Sequence, residues 1–190
     1  MTRALAVLCV KNEGAFLLDW LAHHRAVGFT DFLVFSNDCD DGTDLMLDRL
    51  QAMGILTHVR NDRPGDKGPQ WSALQMADKH HALAAADWVL VLDIDEYVNI
   101  HVGGRRLSDL WAALPAATAI PLTWRMFGNA GIVGYEDRPV TAQFTQAATR
   151  AAGQPAHIIG NLHQRDGQCF QCAMRTDHLV MGCQCGKPVV

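Results

Sequence analysis

The residues Trp88-Val89-Leu90-Val91-Leu92-Asp93-Ile94-Asp95-Glu96-Tyr97 join a continuous apolar run to a cluster of acids. An unbroken run of this kind is what a strand covered on both faces requires. The pattern predicts a strand from Trp88 to Ile94. Alternate residues of a strand point the same way. Asp93 and Asp95 then reach one site while Ile94 turns back into packing. Two hard carboxylates suit magnesium or manganese, which keep waters and share phosphate oxygens with a substrate.

Working outward, strands and helices alternate. Residues 4–10 are a second apolar run, read as the first strand. Phe16, Leu17, Trp20, Leu21, His24 and Val27 recur at three and four positions, so 14–27 is an amphipathic helix, closed by Gly28. Phe32 to Phe35 is the next strand. Thr43 is a candidate N-cap for a helix carrying Leu47, Leu50 and Met53 and ended by Gly54. Ile55 to Val59 follows as a strand. After the polar loop Asn61 to Pro69 comes a helix from about Gln70 to Ala85, then the strand at Trp88. Beyond it, Ser108 is a candidate cap for a short helix to Leu114, Ala119 to Phe127 reads as a strand, and Gly128 to Pro139 as a loop. This order predicts an α/β fold, a mostly parallel sheet with helices on both faces.

Ligands of open α/β sheets bind beyond the carboxyl ends of the strands. Asn12-Glu13 follows the first strand, Asn37-Asp38-Cys39-Asp40-Asp41-Gly42 the second, and Asp93-Ile94-Asp95-Glu96 the fourth. Carboxylates meeting at one edge repel one another, and a divalent cation is the simplest partner for them. Plainer roles stay open: Asn12-Glu13 as the cap of the first helix, and Asp40-Asp41-Gly42-Thr43 as a turn and cap. Asp38 to Arg49 is not a calcium loop, because its Gly falls at position five and Arg49 stands where the closing Glu belongs.

Lys11-Asn12-Glu13, Trp20-Leu21, His23-His24-Arg25, Gly28, Asn37-Asp38, Asp41-Gly42-Thr43, the run from Trp88 to Tyr97, and Arg125-Met126-Phe127-Gly128-Asn129-Ala130-Gly131 together resemble the family-2-like glycosyltransferases with a GT-A fold. The resemblance covers about residues 4–148. It implies a nucleotide-diphosphate-sugar donor, Mn2+ or Mg2+ at Asp93 and Asp95, and inverting transfer to an acceptor hydroxyl. It places the nucleotide at Asn12, Glu13, Asp93 and either Asp40 or Asp41. The general base falls on Glu136 or Asp137, with Glu96 as an acid behind the metal pair and Trp124 and Arg125 lining the acceptor pocket. A saccharide or lipid-linked acceptor is implied, with peripheral contact at an inner membrane face.

Composition narrows the alternatives. The chain has 190 residues, 49% hydrophobic and 19% charged, with 20 acids against 16 bases and a net charge of -4. That suits one globular domain and, with no basic run, argues against a nucleic-acid partner. Ala4 to Val10 is too short and too quickly followed by Lys11-Asn12-Glu13 for a leader. The expectation is a cytoplasmic protein with reduced Cys9 and Cys39. From 149 to 190 the composition shifts to four of the six cysteines and no sustained period. Two readings compete there: a zinc site from Cys169, Cys172, Cys183 and Cys185 with His163 or His178, or a segment that is not a natural continuation and is disordered; His157 is a further metal candidate. Two rival functions remain. One is a degenerate domain that binds nucleotide without turnover. The other is a haloacid-dehalogenase-like phosphatase, which fits poorly because its Asp-x-Asp normally follows the first strand.

Overall fold

The computed structural model describes residues 1–122, 125–129, 131–134 and 136–147 in full, and 123 and 158–164 by their backbone. The strands are β1 (Ala4–Val10), β2 (Asp31–Ser36), β3 (Thr57–Arg60), β4 (Trp88–Leu92), β5 (Ala119–Thr123) and β6 (Ile158–Gln164). The helices are α1 (Gly14–Val27), α2 (Thr43–Ala52), α3 (Pro69–Asp78), α4 (His81–Ala85), α5 (Leu107–Ala113) and α6 (Val140–Gln143).

The six strands form one sheet in the order β3-β2-β1-β4-β6-β5. The first four are mutually parallel, and β6 runs antiparallel to both β4 and β5. β1 sits at the centre of the parallel part, and its side chains divide between two cores. Ala4, Ala6, Leu8 and Val10 pack with Leu17, Trp20 and Leu21 of α1, Leu47 and Leu50 of α2, and Leu107 of α5. Leu5 and Val7 pack on the other face with Ala73 and Ala77 of α3 and Leu83 of α4. Helices therefore cover both faces, which is why β1 is apolar throughout rather than alternating. Each fully buried Leu or Val among them contributes roughly 1.5–3 kcal/mol of burial.

The register levels the strand ends. Val10 lies opposite Ser36, Ser36 opposite Arg60, and Leu8 opposite Leu92. The chain leaves β1 toward β2 and β3, then returns to the other side of β1 as β4. That reversal is the switch point at which ligands of open sheets bind.

Several local expectations change. The helix expected over 70–85 is two helices, because His80 is extended (ψ 139°) and its ring accepts the Ala82 N–H at 3.1 Å, starting a new helix. β3 begins at Thr57 rather than Ile55, and β5 ends at Thr123 rather than Phe127. The caps also shift by a residue or two: Gly42, not Thr43, precedes α2, and Arg106, not Ser108, precedes α5. The strand β6 falls in the segment where no strand period was read. Its Gly160-Asn161 interrupts the apolar pattern, and its place between β4 and β5 supplies the pairing. Trp124, His157, His178 and the four late cysteines lie outside the described residues; of His163 the backbone is described, opposite Val89.

Gly103 occupies a left-handed turn before α5, with φ 51°. A Cβ there would stand 2.7 Å from Cγ of Asp109, whose carboxylate accepts the Arg106 N–H at 2.9 Å. Gly103→Ala is expected to cost about 1–2 kcal/mol in urea unfolding, through the strained φ and the displaced Asp109.

Candidate active site at the carboxyl edge of the sheet

The acid pair does not lie on the strand. β4 ends at Leu92, and residues 93–96 form a turn in which the Glu96 N–H donates to the Asp93 carbonyl at 3.1 Å. Strand alternation is therefore not what orients Asp93 and Asp95. The turn does so, and Ile94 still packs against the core. Both aspartates are exposed. Glu96, expected as an acid behind the pair, braces the turn instead: its Oε2 accepts the Asp93 N–H at 3.0 Å.

Helix α1 grips this turn. The Trp20 indole is fully buried, and its Nε1–H donates to the carbonyls of Asp93 (3.2 Å) and Glu96 (3.0 Å). His23 Nε2–H donates to the Val98 carbonyl at 2.9 Å. The Val98 N–H in turn meets His24 Nε2 at 3.4 Å, so the His24 proton sits on Nδ1 and is donated to the Trp20 carbonyl at 2.8 Å. In the sequence Trp20 and His24 stand on the apolar face of a helix, and His23 enters only through the motif His23-His24-Arg25. No periodicity reveals that their polar atoms close a loop more than seventy residues away.

Burial pushes the His24 imidazole down to about 4, the bond to Trp20 opposing in part and His23 adding to the fall. The sign follows. The unfolded chain binds this proton near pH 6.5 and the folded chain only near 4, so the contribution is fully present above pH 6.5 and lost as pH falls toward 4. The loss is ~3 kcal/mol over that window. Urea unfolding at pH 7 and pH 5 is expected to show about 2 kcal/mol of it in the wild type. It is expected to be much smaller in His24→Gln.

The ends of β1 and β2 are tied together beside the turn. Asn12, at φ 57°, donates its amide to Asp40 Oδ1 at 2.5 Å and accepts the Asp40 N–H at 2.9 Å. Asp41 Oδ2 accepts from Thr43 Oγ1 (2.8 Å) and from the Gly14 N–H (3.3 Å), and Oδ1 from the Thr43 N–H (2.8 Å). Thr43 Oγ1 also accepts the Glu13 N–H at 2.9 Å. Asp41 and Thr43 thus cap α1 and α2 together, and the Thr43 hydroxyl above all holds the Asp41 carboxyl below the usual carboxylate range. The plain reading of Asp41-Gly42-Thr43 as turn and cap holds for Asp41. Asp40, exposed like Asp41 on the strand-end loop, pairs with Asn12.

Charge confirms that these ends meet. Burial first, then the carboxylates of Asp95 and Asp41, raise the Glu13 carboxyl. Burial, then Asp93 and Cys39, push the Cys9 thiol up to about 11, so it stays protonated. Burial, then Asp19 and Asp95, raise the Tyr97 hydroxyl. One negative field covers the edge where β1, β2 and β4 end. Among the described residues no group of three or more His, Cys, Asp or Glu side chains is close enough to hold a metal alone. Two exposed carboxylates on a turn match an ion that takes its remaining oxygens from water and substrate.

Glu136 and Asp137 lie apart from that edge, on the wall of a cleft of about 470 Å³ between α1 and residues 129–144. Ala15, Phe16 and Asp19 form its α1 side. Glu136 pairs with Arg138 at 3.2 Å. Arg125, expected at the acceptor pocket, is not among the cleft walls, and its guanidinium lies 5.8 Å from the Phe127 ring.

A family model of glycosyltransferase family 92 matches residues 6–170. The chain belongs to glycosyltransferase family 92. The motifs resemble family-2-like enzymes, and the match carries the broader class, glycosyltransferase. A family 92 protein of Oryza sativa subsp. japonica is 23% identical over 142 residues, which is 72% of this chain and 23% of that protein. One of Ricinus communis is 26% identical over 99 residues, 50% of this chain and 16% of that protein. The chain thus spans about a quarter or less of the curated relatives. Among solved structures it is similar to S. aureus TarS 1-349 in complex with UDP, at 18% identity and TM-score 0.48, covering 71% of this chain and 38% of that one. It is also similar to a 4-diphosphocytidyl-2C-methyl-D-erythritol synthase, at 14% identity and TM-score 0.46, covering 96% and 81%.

One further constellation in this family 92 chain has the look of chemistry. Ser36 Oγ lies 2.8 Å from His58 Nε2, and His58 Nδ1 lies 2.7 Å from Asp48 Oδ1. Ser36 is fully buried, so no substrate reaches its hydroxyl. Arg60 extends the chain to Asp48 (2.6 Å) and Asp44 (2.5 Å). The set joins α2 to β2 and β3 below the loop that carries Asp38 and Asp40. Among the described residues no helix is long and apolar enough to cross a membrane.

Proposed function

We propose that this domain transfers a sugar from a nucleotide-diphosphate donor to an acceptor hydroxyl, with the donor diphosphate seated at Asp93 and Asp95. The observation that carries the reading is the levelled ends of β1, β2 and β4, which bring Glu13, Asp41, Asp93 and Asp95 to the switch point of the sheet, in a chain of a glycosyltransferase family. A diphosphate cannot enter among these carboxylates without a cation. Asp93 and Asp95 would hold Mn2+ or Mg2+, which offsets the charge that gathers on the leaving diphosphate.

The nucleotide lies against the ends of β1 and β2. Asn12 and Asp40 present hydrogen-bonding groups there, and Glu13 stands between them and the turn. Asp41 acts behind these residues by holding both helix N-termini in place. On the acceptor side, Glu136 or Asp137 takes the proton of the acceptor hydroxyl. The freed oxygen pair forms the new bond to the anomeric carbon. The bond from that carbon to the diphosphate breaks, and its electron pair leaves with the nucleotide. Attack from the face opposite the leaving group inverts the centre. The acceptor is a saccharide or a lipid-linked saccharide presented at a membrane face.

The test is calorimetric titration of UDP, with GDP as comparison, in the presence and absence of manganese. Saturable, manganese-dependent binding of one nucleotide is expected. A folded protein that binds neither nucleotide under either condition overturns the reading.

A further inference from the structure

The cleft and the metal turn are separate in sequence but share one carboxylate. Asp19, on α1 immediately before Trp20, accepts the Tyr97 O–H at 3.1 Å and the Val140 N–H at 3.0 Å. The same atom, Oδ2, takes both. Tyr97 follows the Asp93–Glu96 turn directly. Val140 is the first residue of α6 and follows the loop that carries Glu136 and Asp137. The two partners stand 78 and 121 positions from Asp19 along the chain, so no local structure imposes the link.

Other contacts act within one part or between α1 and the turn. Within its own loop, the acceptor wall is closed by Gln143, whose amide donates to the carbonyls of Glu136 (3.0 Å) and Arg138 (2.5 Å). Those bonds fix its shape but not its distance from the donor turn. Trp20 and His23 fix the turn to α1, but neither reaches residues 136–140. Asp19 is a residue of α1 whose side chain bonds to both.

We infer that Asp19 is a positioning residue that couples the Asp93–Tyr97 turn to the cleft wall at Glu136–Val140. Its importance for catalysis rests on the transferase reading above. In that setting it sets how far the candidate base stands from the anomeric carbon, and small errors in that distance are costly to rate. Loading the turn with nucleotide and metal tightens Tyr97 on Asp19, and Asp19 transmits this to Val140.

Amide hydrogen exchange of the full chain tests the coupling, first without ligand and then with UDP and manganese. Tyr97→Phe keeps the ring and its packing and removes only the hydroxyl. In the free protein it is expected to speed exchange across 136–143 by about fivefold, although Tyr97 donates no bond to that segment. Asp19→Leu is expected to do the same more strongly, and Asp19→Asn, which keeps an acceptor oxygen, to restore slow exchange. With UDP and manganese, the wild type is expected to gain protection at 136–143. Tyr97→Phe is expected to bind UDP within about threefold of wild type and lose that gain. Unchanged exchange at 136–143 in Tyr97→Phe, free and loaded, overturns the coupling. Should the wild type bind no nucleotide, the transferase reading fails, while exchange in the free protein still decides the role of Asp19.

Discussion

Asp95→Ala is expected to abolish manganese-dependent UDP binding and to lower sugar transfer by about a thousandfold or more. Asp95 stands exposed at the tip of the turn after β4. Its charge reaches Glu13, where it helps to raise the carboxyl, and Tyr97, where it opposes ionisation of the hydroxyl. If Asp93 and Asp95 hold a divalent ion as proposed, the variant removes one of its two carboxylates. Asp93 alone would leave a single carboxylate, the lower end of the one or two that usually hold such an ion beside substrate phosphates. Folding should be spared, because removing an exposed charge from a crowded negative field relieves repulsion, and surface changes of this kind stay within about 0.5 kcal/mol. Calorimetry with UDP and manganese reads the binding, and urea unfolding reads the stability. Metal-dependent affinity that survives in Asp95→Ala removes this residue from the site.

The largest effect on stability is expected at Trp20. Its side chain is fully buried, lies 6.0 Å from the Phe32 ring and 4.1 Å from the His24 ring, and donates to two carbonyls of the turn after β4. Trp20→Ala is expected to cost about 3–5 kcal/mol. Against a total of roughly 5–15 kcal/mol for a domain, that removes a large part of the folding free energy. Trp20→Phe separates packing from hydrogen bonding. It retains most of the ring volume and leaves the Asp93 and Glu96 carbonyls without the indole N–H. A loss of about 1–3 kcal/mol is expected in urea unfolding. The nucleotide affinity in manganese should fall as well, because the turn that aims Asp93 and Asp95 is no longer held to α1. A Trp20→Phe variant with lowered stability but unchanged metal-dependent binding assigns the indole to packing alone.

The His24 and Trp20 effects share a cause. Both residues hold polar backbone atoms of the 93–98 loop from within a core where water cannot substitute. Lowering the pH through His24 and removing the indole of Trp20 therefore act on the same turn. Combined, they are expected to be non-additive, as for residues in one network.

What the sequence determined by itself was the ladder of elements. Unbroken apolar runs at Ala4 to Val10 and Trp88 to Leu92, with an amphipathic helix between Gly14 and Val27, leave few options besides a parallel sheet covered on both faces. Those patterns are local, and burial acts on them residue by residue. The acids that follow β1, β2 and β4 were legible for the same reason, since parallel strands must end on one edge. Tertiary structure decided the rest. It placed Asp93 and Asp95 on a turn rather than a strand, because the Trp20 indole and Glu96 draw the backbone out of the ladder after Leu92. It showed Asp41, a candidate nucleotide contact, capping two helices. It set β6 between β4 and β5, where a neighbour on each side supplies what a weak pattern lacks. It also gave Asp19 two partners far away in the chain. A hydrogen bond between distant residues has no period and no spacing, so only folding, which brings α1 against the loop after β4 and the loop before α6, makes such a contact exist.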